Sequence, residues 1–299
     1  MAIQLKNRQR SALQPASDWE TCRLVARTHG KSFYVASLCL PADRRRAIHA
    51  VYAFCRMADD IVDRATCLDS ARRDIDAWER ELDEPVGPVA RAFALARMHY
   101  GVPEDAAREL LAGVRMDLVP HRYATWDELR GYCHAVAGTV GLMVAPILGC
   151  RDAGALTYAA ELGIAMQLTN ILRDICEDAV QGRLYLPVDE LADFGVDAES
   201  VLTGCPNGMF NAFMAFQIDR ARELYASAAQ GIPALDSSGR LATLAAKQFY
   251  SEILTEIEKL NYDVFRARAH LTTSQKIRAL PGVFVGFTQL SFSSARAHA

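Results

Sequence analysis

The chain has 299 residues, of which 51% are hydrophobic and 23% are charged, so it is long and apolar enough to bury a large core. Its net charge of -3 argues against the basic face that nucleic-acid-binding proteins carry, and we expect no nucleic-acid partner. No window approaches the roughly 18 consecutive apolar residues of a membrane span, and the initial MAIQLKNRQR lacks the apolar stretch of a secretory signal. We therefore expect a cytoplasmic protein, with peripheral contact to a membrane surface left open.

The composition along the chain also bears on its domain organisation. No Pro-, Gly- or Ser-rich linker divides the sequence, so we predict one domain over residues 1–299, with residues 1–17 as a candidate flexible segment. The eight cysteines are scattered without a C-x-x-C pair, which disfavours zinc binding and disulfides. We expect them to fill the core.

Apolar residues recur with helical spacing along most of the chain, and no stretch of useful length alternates as a strand does. The pattern predicts an all-α protein. The predicted helices cover residues 18–29, 44–64, 70–84, 88–99, 104–118, 126–149, 152–179, 209–229, 239–262 and 273–280.

The helix predicted over residues 44–64 carries the first cluster of acidic residues. Tyr52, Arg56, Asp59 or Asp60, and Asp63 follow one another every three or four residues and share one face. Like charges on one face favour a bound cation, and Mg²⁺ prefers carboxylate and phosphate oxygens. The alternative is a solvated helix in which Arg56 pairs with Asp60.

Residues 131–141, within the helix predicted over residues 126–149, are mostly small and apolar. Small residues leave space either for a neighbouring helix or for a long hydrocarbon, and we favour the interpretation that another helix packs closely here. His134 is expected to be a hydrogen-bonded core histidine, because nothing near it in sequence forms a nucleophile and base.

A second polar face follows in the helix predicted over residues 152–179. Gln167, Asn170, Asp174 and Asp178 recur at three-or-four spacing among apolar residues, and carboxylates in such surroundings need a compensating charge. Two such faces suggest a diphosphate held by metal ions between helices. The Gly and Pro of residues 182–187 predict a loop, in which Arg183 and Tyr185 either close over an anion or belong to an ordinary surface loop.

These motifs together resemble the squalene/phytoene synthase family, whose members join two prenyl diphosphates head to head. The resemblance covers nearly the whole chain and is carried by residues 29–34, 52–63, 132–141, 167–178, 182–187 and 261–271. It implies a single-domain, class I isoprenoid synthase helical bundle with a central apolar cavity. Cys176 stands where many relatives have glycine, which we interpret as a packing difference.

The resemblance also implies roles for individual residues. The implied catalytic residues are Asp59, Asp63, Asp174 and Tyr132. The implied metal ligands are Asp59, Asp63, Asn170, Asp174 and Asp178. Contacts with substrate or its diphosphate are implied for Ser32, Phe33, Tyr52, Arg56, Val136, Val140, Gly141, Gln167, Arg183, Tyr185, Tyr250 and either Arg266 or Arg268, of which we select Arg268.

Several segments are more similar to phytoene synthases than to squalene synthases. The expected reaction is therefore the Mg²⁺-dependent condensation of two geranylgeranyl diphosphates to phytoene, with Mn²⁺ as a substitute ion and without NADPH. The alternatives are a C30 synthase that uses farnesyl diphosphate, a chain-elongating prenyltransferase or terpene cyclase, and a non-catalytic assembly relative. The Asn-x-x-x-Asp-x-x-x-Asp form of the second motif disfavours the elongating enzyme, and the whole aspartate clusters disfavour the inert relative.

Overall fold

The computed structural model describes the backbone of residues 2–119, 121–206 and 208–297. It describes the side chains of residues 16–119, 121–206 and 208–288. The described chain is built from helices, and its single β-bridge pairs Arg122 with Leu184. The α-helices are α1 Ala2–His29, α2 Lys31–Ser37, α3 Ala42–Asp63, α4 Leu68–Arg80, α5 Pro88–Tyr100, α6 Glu104–Met116, α7 Trp126–Cys133, α8 Thr139–Val144, α9 Leu156–Val180, α10 Val188–Asp193, α11 Ala198–Leu202, α12 Phe210–Ala228, α13 Ser237–Lys259 and α14 Thr273–Ala297.

The long helices confirm the all-α prediction, and the differences lie at ends and short elements. Helices α2, α10 and α11 have seven, six and five residues, which is too short for a helical period to be recognised in sequence. Helix α1 already begins at Ala2, Met1 lies outside the described residues, and flexibility of residues 1–17 stays a prediction.

The continuous helix predicted over residues 126–149 is wrong in one respect, because a π-helical turn at His134–Gly138 separates α7 from α8. Close packing on α9 accompanies the break. A Cβ atom added at Gly163 would collide with the carbonyl oxygen of Ala137, and one added at Gly141 would collide with that of Ala159. The small residues of this stretch therefore let two backbones approach, as we predicted.

The apolar side chains form two main clusters. The first is centred on α3, α5 and α6, with Phe54, Phe93 and Leu111 almost fully buried. The second is centred on α9, α12 and α13, with Leu168, Phe213 and Leu254 fully buried. The two predicted acidic faces belong to α3 and α9, so one face is supported by each cluster.

Some secondary expectations need correction. All eight cysteines are free, but Cys67 and Cys205 are exposed and do not fill the core. His134 is also no core residue, because its side chain is 38% exposed and its Nε2 lies 3.4 Å from Glu109. Within the part of the chain that the structure describes, no helix is long and apolar enough to cross a membrane.

Candidate active site

A cavity of about 1180 Å³ brings together residues from α1, α2, α3, α6, α7, α9, α13 and α14. The π-helical turn, the loop after α9 and the segment before α14 also contribute. Its lining is of two kinds. Apolar side chains come from several helices and include Val62, Val136, Ile171, Phe249 and Leu280. The remainder is strongly polar, so the expected apolar cavity describes only part of the lining, and the acidic and basic residues form the other part.

The structure separates the two adjacent aspartates of α3. Asp59 and Asp63 line the cavity, one helical turn apart. Asp60 instead forms ion pairs with Arg56 and Arg64. Both predictions for this helix are therefore met, each by a different aspartate. Asp60 forms the ion pair with Arg56, and Asp59 faces the cavity.

Asp59 carries more negative charge into the cavity than its neighbours neutralise. Burial raises its pKa from 3.8 to about 7, and the nearby guanidinium of Arg56 only partly opposes this. The like charges of Asp63 and Asp117 also contribute to this rise of the pKa. A buried carboxylate of this kind gains from an added cation.

Arg56 is suited to an anion beside these carboxylates. It lines the cavity, and its buried Nε has no hydrogen-bond partner among the described residues. Tyr52 lies one turn before it, and its ring is packed so closely on Gly30 that a Cβ atom there would overlap the ring. Gly30 therefore allows α2 to begin directly over Tyr52, with Ser32 also at the cavity wall.

The second polar face lies along α9, where Gln167, Asn170, Asp174 and Asp178 all line the cavity. Asp174 is held by Arg173 and by Arg268, whose Nε lies 2.8 Å from its Oδ1. Burial alone would raise the pKa of Asp174, but these hydrogen bonds outweigh it and the pKa is lowered.

Asp178 behaves in the opposite way. Its pKa is raised to about 7, mainly by burial, with the charge of Asp174 adding to the rise and Arg183 opposing it. Each polar face therefore contains one insufficiently neutralised carboxylate, Asp59 on α3 and Asp178 on α9.

The loop after α9 connects the two faces. Arg183 donates from Nη1 to Oδ1 of Asp63 across 3.0 Å, although 120 residues separate them in the chain. Tyr185 is buried and donates to Oδ1 of Asp117 across 2.8 Å. Both residues line the cavity, which favours the site-closing interpretation of this loop over the ordinary surface loop.

The structure brings together most of the residues that the sequence singled out. Tyr132, Val136, Tyr250 and Arg268 line the same cavity, and burial raises the pKa of Tyr250. Arg268 is the better candidate of the two C-terminal arginines, because it contacts Asp174 inside the cavity. For Arg266 the described contact is a backbone hydrogen bond to Asp263.

Three residues expected to line the pocket are placed elsewhere. Phe33 stacks on Tyr52, with ring centroids 5.0 Å apart, and packs against the cluster centred on α3. Val140 packs against the cluster centred on α3. Gly141 lies against the backbone of Ala159 on α9, where its role is close helix packing.

Other cavity residues were missed by sequence reasoning. Lys31 and Lys276 line it, and burial together with the charge of Lys31 lowers the pKa of Lys276. Arg173 precedes a predicted ligand and could have been noticed from that position. Asp117 follows α6 in the apolar stretch LLAGVRMDLVP, where an isolated carboxylate is the only sequence signal.

The donor set fits a divalent cation. Among the described side chains, no three Asp, Glu, His or Cys residues are grouped as a ready-made metal site. Oxygen donors are instead divided between α3 and α9, which suits Mg²⁺, since this ion commonly takes one or two carboxylates together with waters and substrate phosphate oxygens. Asp59 and Asp178, with pKa values of about 7, are where added positive charge is most favourable.

Comparison with known proteins gives consistent results. The family model "Squalene/phytoene synthase" matches residues 26–275. The chain is 38% identical over 289 residues to a 15-cis-phytoene synthase of Synechococcus elongatus, covering 91% of this chain and 94% of the relative. It is 38% identical over 274 residues to the chloroplastic phytoene synthase 2 of Solanum lycopersicum, covering 88% of each.

Solved structures show the same architecture. A dehydrosqualene synthase in complex with a ligand is 31% identical and superposes with a TM-score of 0.86, covering 92% of this chain and 98% of the other. The squalene synthase HpnC from Alicyclobacillus acidocaldarius is 28% identical with a TM-score of 0.76, covering 84% and 96%.

Proposed function

The chain belongs to the squalene/phytoene synthase family, and on that basis we propose that it condenses two molecules of geranylgeranyl diphosphate head to head into phytoene for carotenoid biosynthesis. It is a prenyltransferase of the 15-cis-phytoene synthase type. The observation that carries the mechanism is the pair of oxygen-rich faces on α3 and α9, which share one cavity with apolar side chains. We further propose that residues 1–299 form one isoprenoid synthase domain.

The polar part of the cavity is proposed to hold the diphosphates. Magnesium, with manganese as a substitute, would be bound by Asp59, Asp63, Asn170, Asp174 and Asp178 and would neutralise charge on the leaving group. Arg56, Arg183 and Arg268 offer planar guanidinium groups that can donate two parallel hydrogen bonds to phosphate oxygens. The hydroxyl groups of Ser32 and Tyr52 and the amide of Gln167 supply further hydrogen bonds.

The apolar part is proposed to hold the hydrocarbon chains and to exclude water. Loss of the first diphosphate leaves an allylic cation, which the double bond of the second substrate attacks to form a cyclopropyl diphosphate with release of one proton. After the second diphosphate leaves, rearrangement and loss of another proton give the hydrocarbon. Water would quench either cation, so side chains such as Val136 and Phe249 protect the reaction, and the aromatic rings of Tyr132 and Tyr250 stabilise passing positive charge.

No reductant takes part in this scheme, because the last cation is discharged by proton loss and needs no hydride. The decisive experiment incubates the purified protein with geranylgeranyl diphosphate or farnesyl diphosphate and Mg²⁺, with and without NADPH, and identifies products by mass spectrometry. We expect a C40 hydrocarbon that forms without NADPH. A C30 product made in preference would replace the proposal with the dehydrosqualene or squalene alternative, and no diphosphate release from either substrate would favour the inert relative.

The assignment of Asp174 is tested in the same assay. Asp174→Asn removes a charge at the centre of the second face, and we expect condensation to fall at least about 100-fold, as for loss of a group that stabilises transition-state charge. Asp193→Asn, at an exposed position at the end of α10, is the matched control and should leave the rate unchanged. Near-normal turnover of Asp174→Asn at saturating Mg²⁺ would contradict the site.

Contact with a membrane surface stays a prediction. A C40 hydrocarbon is insoluble in water, and α14 exposes Ile277, Phe284 and Val285. Sedimentation with phosphatidylglycerol vesicles tests it, and we expect the variant Phe284→Glu to remain in the supernatant. Equal sedimentation of both proteins would exclude this face.

A further inference from the structure

One carboxylate in the cavity wall is hydrogen-bonded to two tyrosines at once. Tyr132 donates its hydroxyl to Oδ2 of Asp117 across 2.8 Å, and Tyr185 donates to Oδ1 across 2.8 Å. All three residues line the cavity. The two oxygens of Asp117 thus fix the direction in which both phenolic protons point.

The tyrosines are ordered further by stacking. The rings of Tyr132 and Tyr185 lie 5.1 Å apart at an angle of 23°, and the ring of Tyr123 lies 5.4 Å from the first and 6.1 Å from the second. Asp117 follows α6, Tyr132 belongs to α7, and Tyr185 belongs to the loop after α9, so the cluster joins three elements. A hydrogen bond from the backbone N–H of Val188 to the carbonyl oxygen of Tyr123 (3.0 Å) holds the loop beside the cluster.

The charges around Asp117 and its hydrogen bonds determine how the two phenol groups are polarised. The charged groups that interact with Asp117 are Arg183, which is attractive, and the carboxylates Asp59, Asp63 and Asp178, which are repulsive. The direct hydrogen bonds come from the two phenols. An O–H group that donates to a carboxylate is polarised, because negative charge is drawn toward the phenolic oxygen and its ring. An aromatic face with more electron density attracts a cation more strongly.

We propose that Asp117 is a positioning residue that holds the hydroxyl protons of Tyr132 and Tyr185 on its own carboxylate, so that their oxygen lone pairs and ring faces stabilise the carbocations of the reaction. This inference rests on the proposed head-to-head condensation. It gives Asp117 no direct contact with substrate. It also explains why a carboxylate is placed among tyrosines at this wall, where a phenolic proton directed into the cavity would oppose a positive charge.

The test combines Asp117→Asn with changes at its partners. Asparagine keeps the size and one acceptor of Asp117 but turns the other acceptor into a donor, so one phenol must reverse its hydrogen bond. Two aromatic contacts worth about 0.5–2 kcal/mol each sum to about 1–4 kcal/mol, which corresponds to a fall in kcat of about 5- to 900-fold. We expect this fall with KM for the prenyl diphosphate within about threefold of wild type, and more prenyl alcohol from cations quenched by water.

The coupling between residues is the decisive readout. If Asp117 acts through the tyrosines, adding Asp117→Asn to the double variant Tyr132→Phe/Tyr185→Phe should have little further effect. We expect kcat of the triple variant to lie within about threefold of kcat of the double variant. A full additional loss would overturn the proposal. So would a large rise in the Mg²⁺ concentration needed for half-maximal rate in Asp117→Asn, since that would make Asp117 a metal ligand. Asp105→Asn, at an exposed position on α6, is the matched control and should behave as wild type.

Two measurements without substrate complete the test. The melting temperature of Asp117→Asn should stay within about 4 °C of wild type. A larger drop, together with additive effects of Asp117→Asn and the two Tyr→Phe changes on kcat, would show that Asp117 has only a structural role. The tyrosine Raman doublet, which differs between donor and acceptor phenols, should change in Asp117→Asn and not in Asp105→Asn, and an unchanged doublet would refute the hydrogen-bond geometry. Product identity of the wild-type enzyme reports separately on the proposed function, since the Raman result holds for any product.

Discussion

Replacing Asp59 by asparagine should stabilise the protein while it destroys activity. The carboxylate has a pKa of about 7 in the folded protein against an ordinary value of 3.8, because burial disfavours its charged form. At pH 8 the folded protein must therefore hold a charge that the unfolded chain accommodates easily. A difference of about 3 between the two pKa values corresponds to about 4 kcal/mol.

We expect Asp59→Asn to recover about half of that energy, since water and the side chain of Arg56 can rearrange around the charge. For a chain of this size, about 2 kcal/mol raises the melting temperature by about 4 °C. The gain depends on pH in a defined direction. A raised carboxyl pKa costs stability mainly above pH 7 and costs progressively less toward pH 4, so the advantage of the asparagine should shrink as the pH falls.

The assay is thermal unfolding in EDTA at pH 8 and at pH 5, with Asp60→Asn as the control on the same helix. Asp60 is paired with Arg56 and Arg64, and its removal should lower stability by about 1 kcal/mol or more. If Asp59→Asn were as destabilising as Asp60→Asn at pH 8, the argument that Asp59 is a poorly compensated buried charge would be refuted. Condensation should be lost in Asp59→Asn in either case.

Three further outcomes follow from the contacts described. Arg183→Ala removes the ion pair with Asp63, and we expect a raised KM in steady-state kinetics or prenyl alcohol among the products separated by gas chromatography. Unchanged kinetics and product purity would show that the loop after α9 is an ordinary surface loop. Gly163→Ala forces a Cβ atom against the carbonyl of Ala137 and should lower the free energy of unfolding by about 1–3 kcal/mol or more in urea titrations, whereas exposed Gly131→Ala should not. The Mg²⁺ concentration for half-maximal rate should rise at least about tenfold from pH 8 to pH 6, because Asp59 and Asp178, each with a pKa of about 7, must lose their protons to bind metal; a flat profile would contradict this.

The sequence predicted the long helices because their apolar faces repeat over several turns, as in α3 and α9. It missed α2, whose seven residues span two turns, and the π-helical turn at His134–Gly138, because a change of hydrogen-bond partner leaves no mark on residue spacing. Residue spacing also does not distinguish Asp59 from Asp60, because both fit one polar face of the helix. The ion pair between Asp60 and Arg56 in the structure distinguishes them.

Site residues that sit on regular helices were therefore easier to predict than those that act from chain ends or loops. The faces on α3 and α9 follow directly from spacing. Asp117 does not, because its partners Tyr132 and Tyr185 are 15 and 68 residues away and meet it only after the loop beyond α9 packs against residues 122–124. Phe33 and Gly141 were carried over by resemblance alone, and their contacts in the structure are with the ring of Tyr52 and with the backbone of α9.

The arginines of the cavity suggest how binding and closure are linked. Arg183 pairs with Asp63, and Arg268 pairs with Asp174, so each guanidinium holds a carboxylate that is also a proposed metal ligand. A diphosphate arriving with Mg²⁺ offers both partners a better match, since the carboxylates can bind the metal and the guanidinium groups the phosphate oxygens. Partner exchange of this kind would keep the charges paired throughout. Because Arg183 belongs to the loop that bridges α3 and α9, the same exchange would draw that loop toward the substrate and help to exclude water.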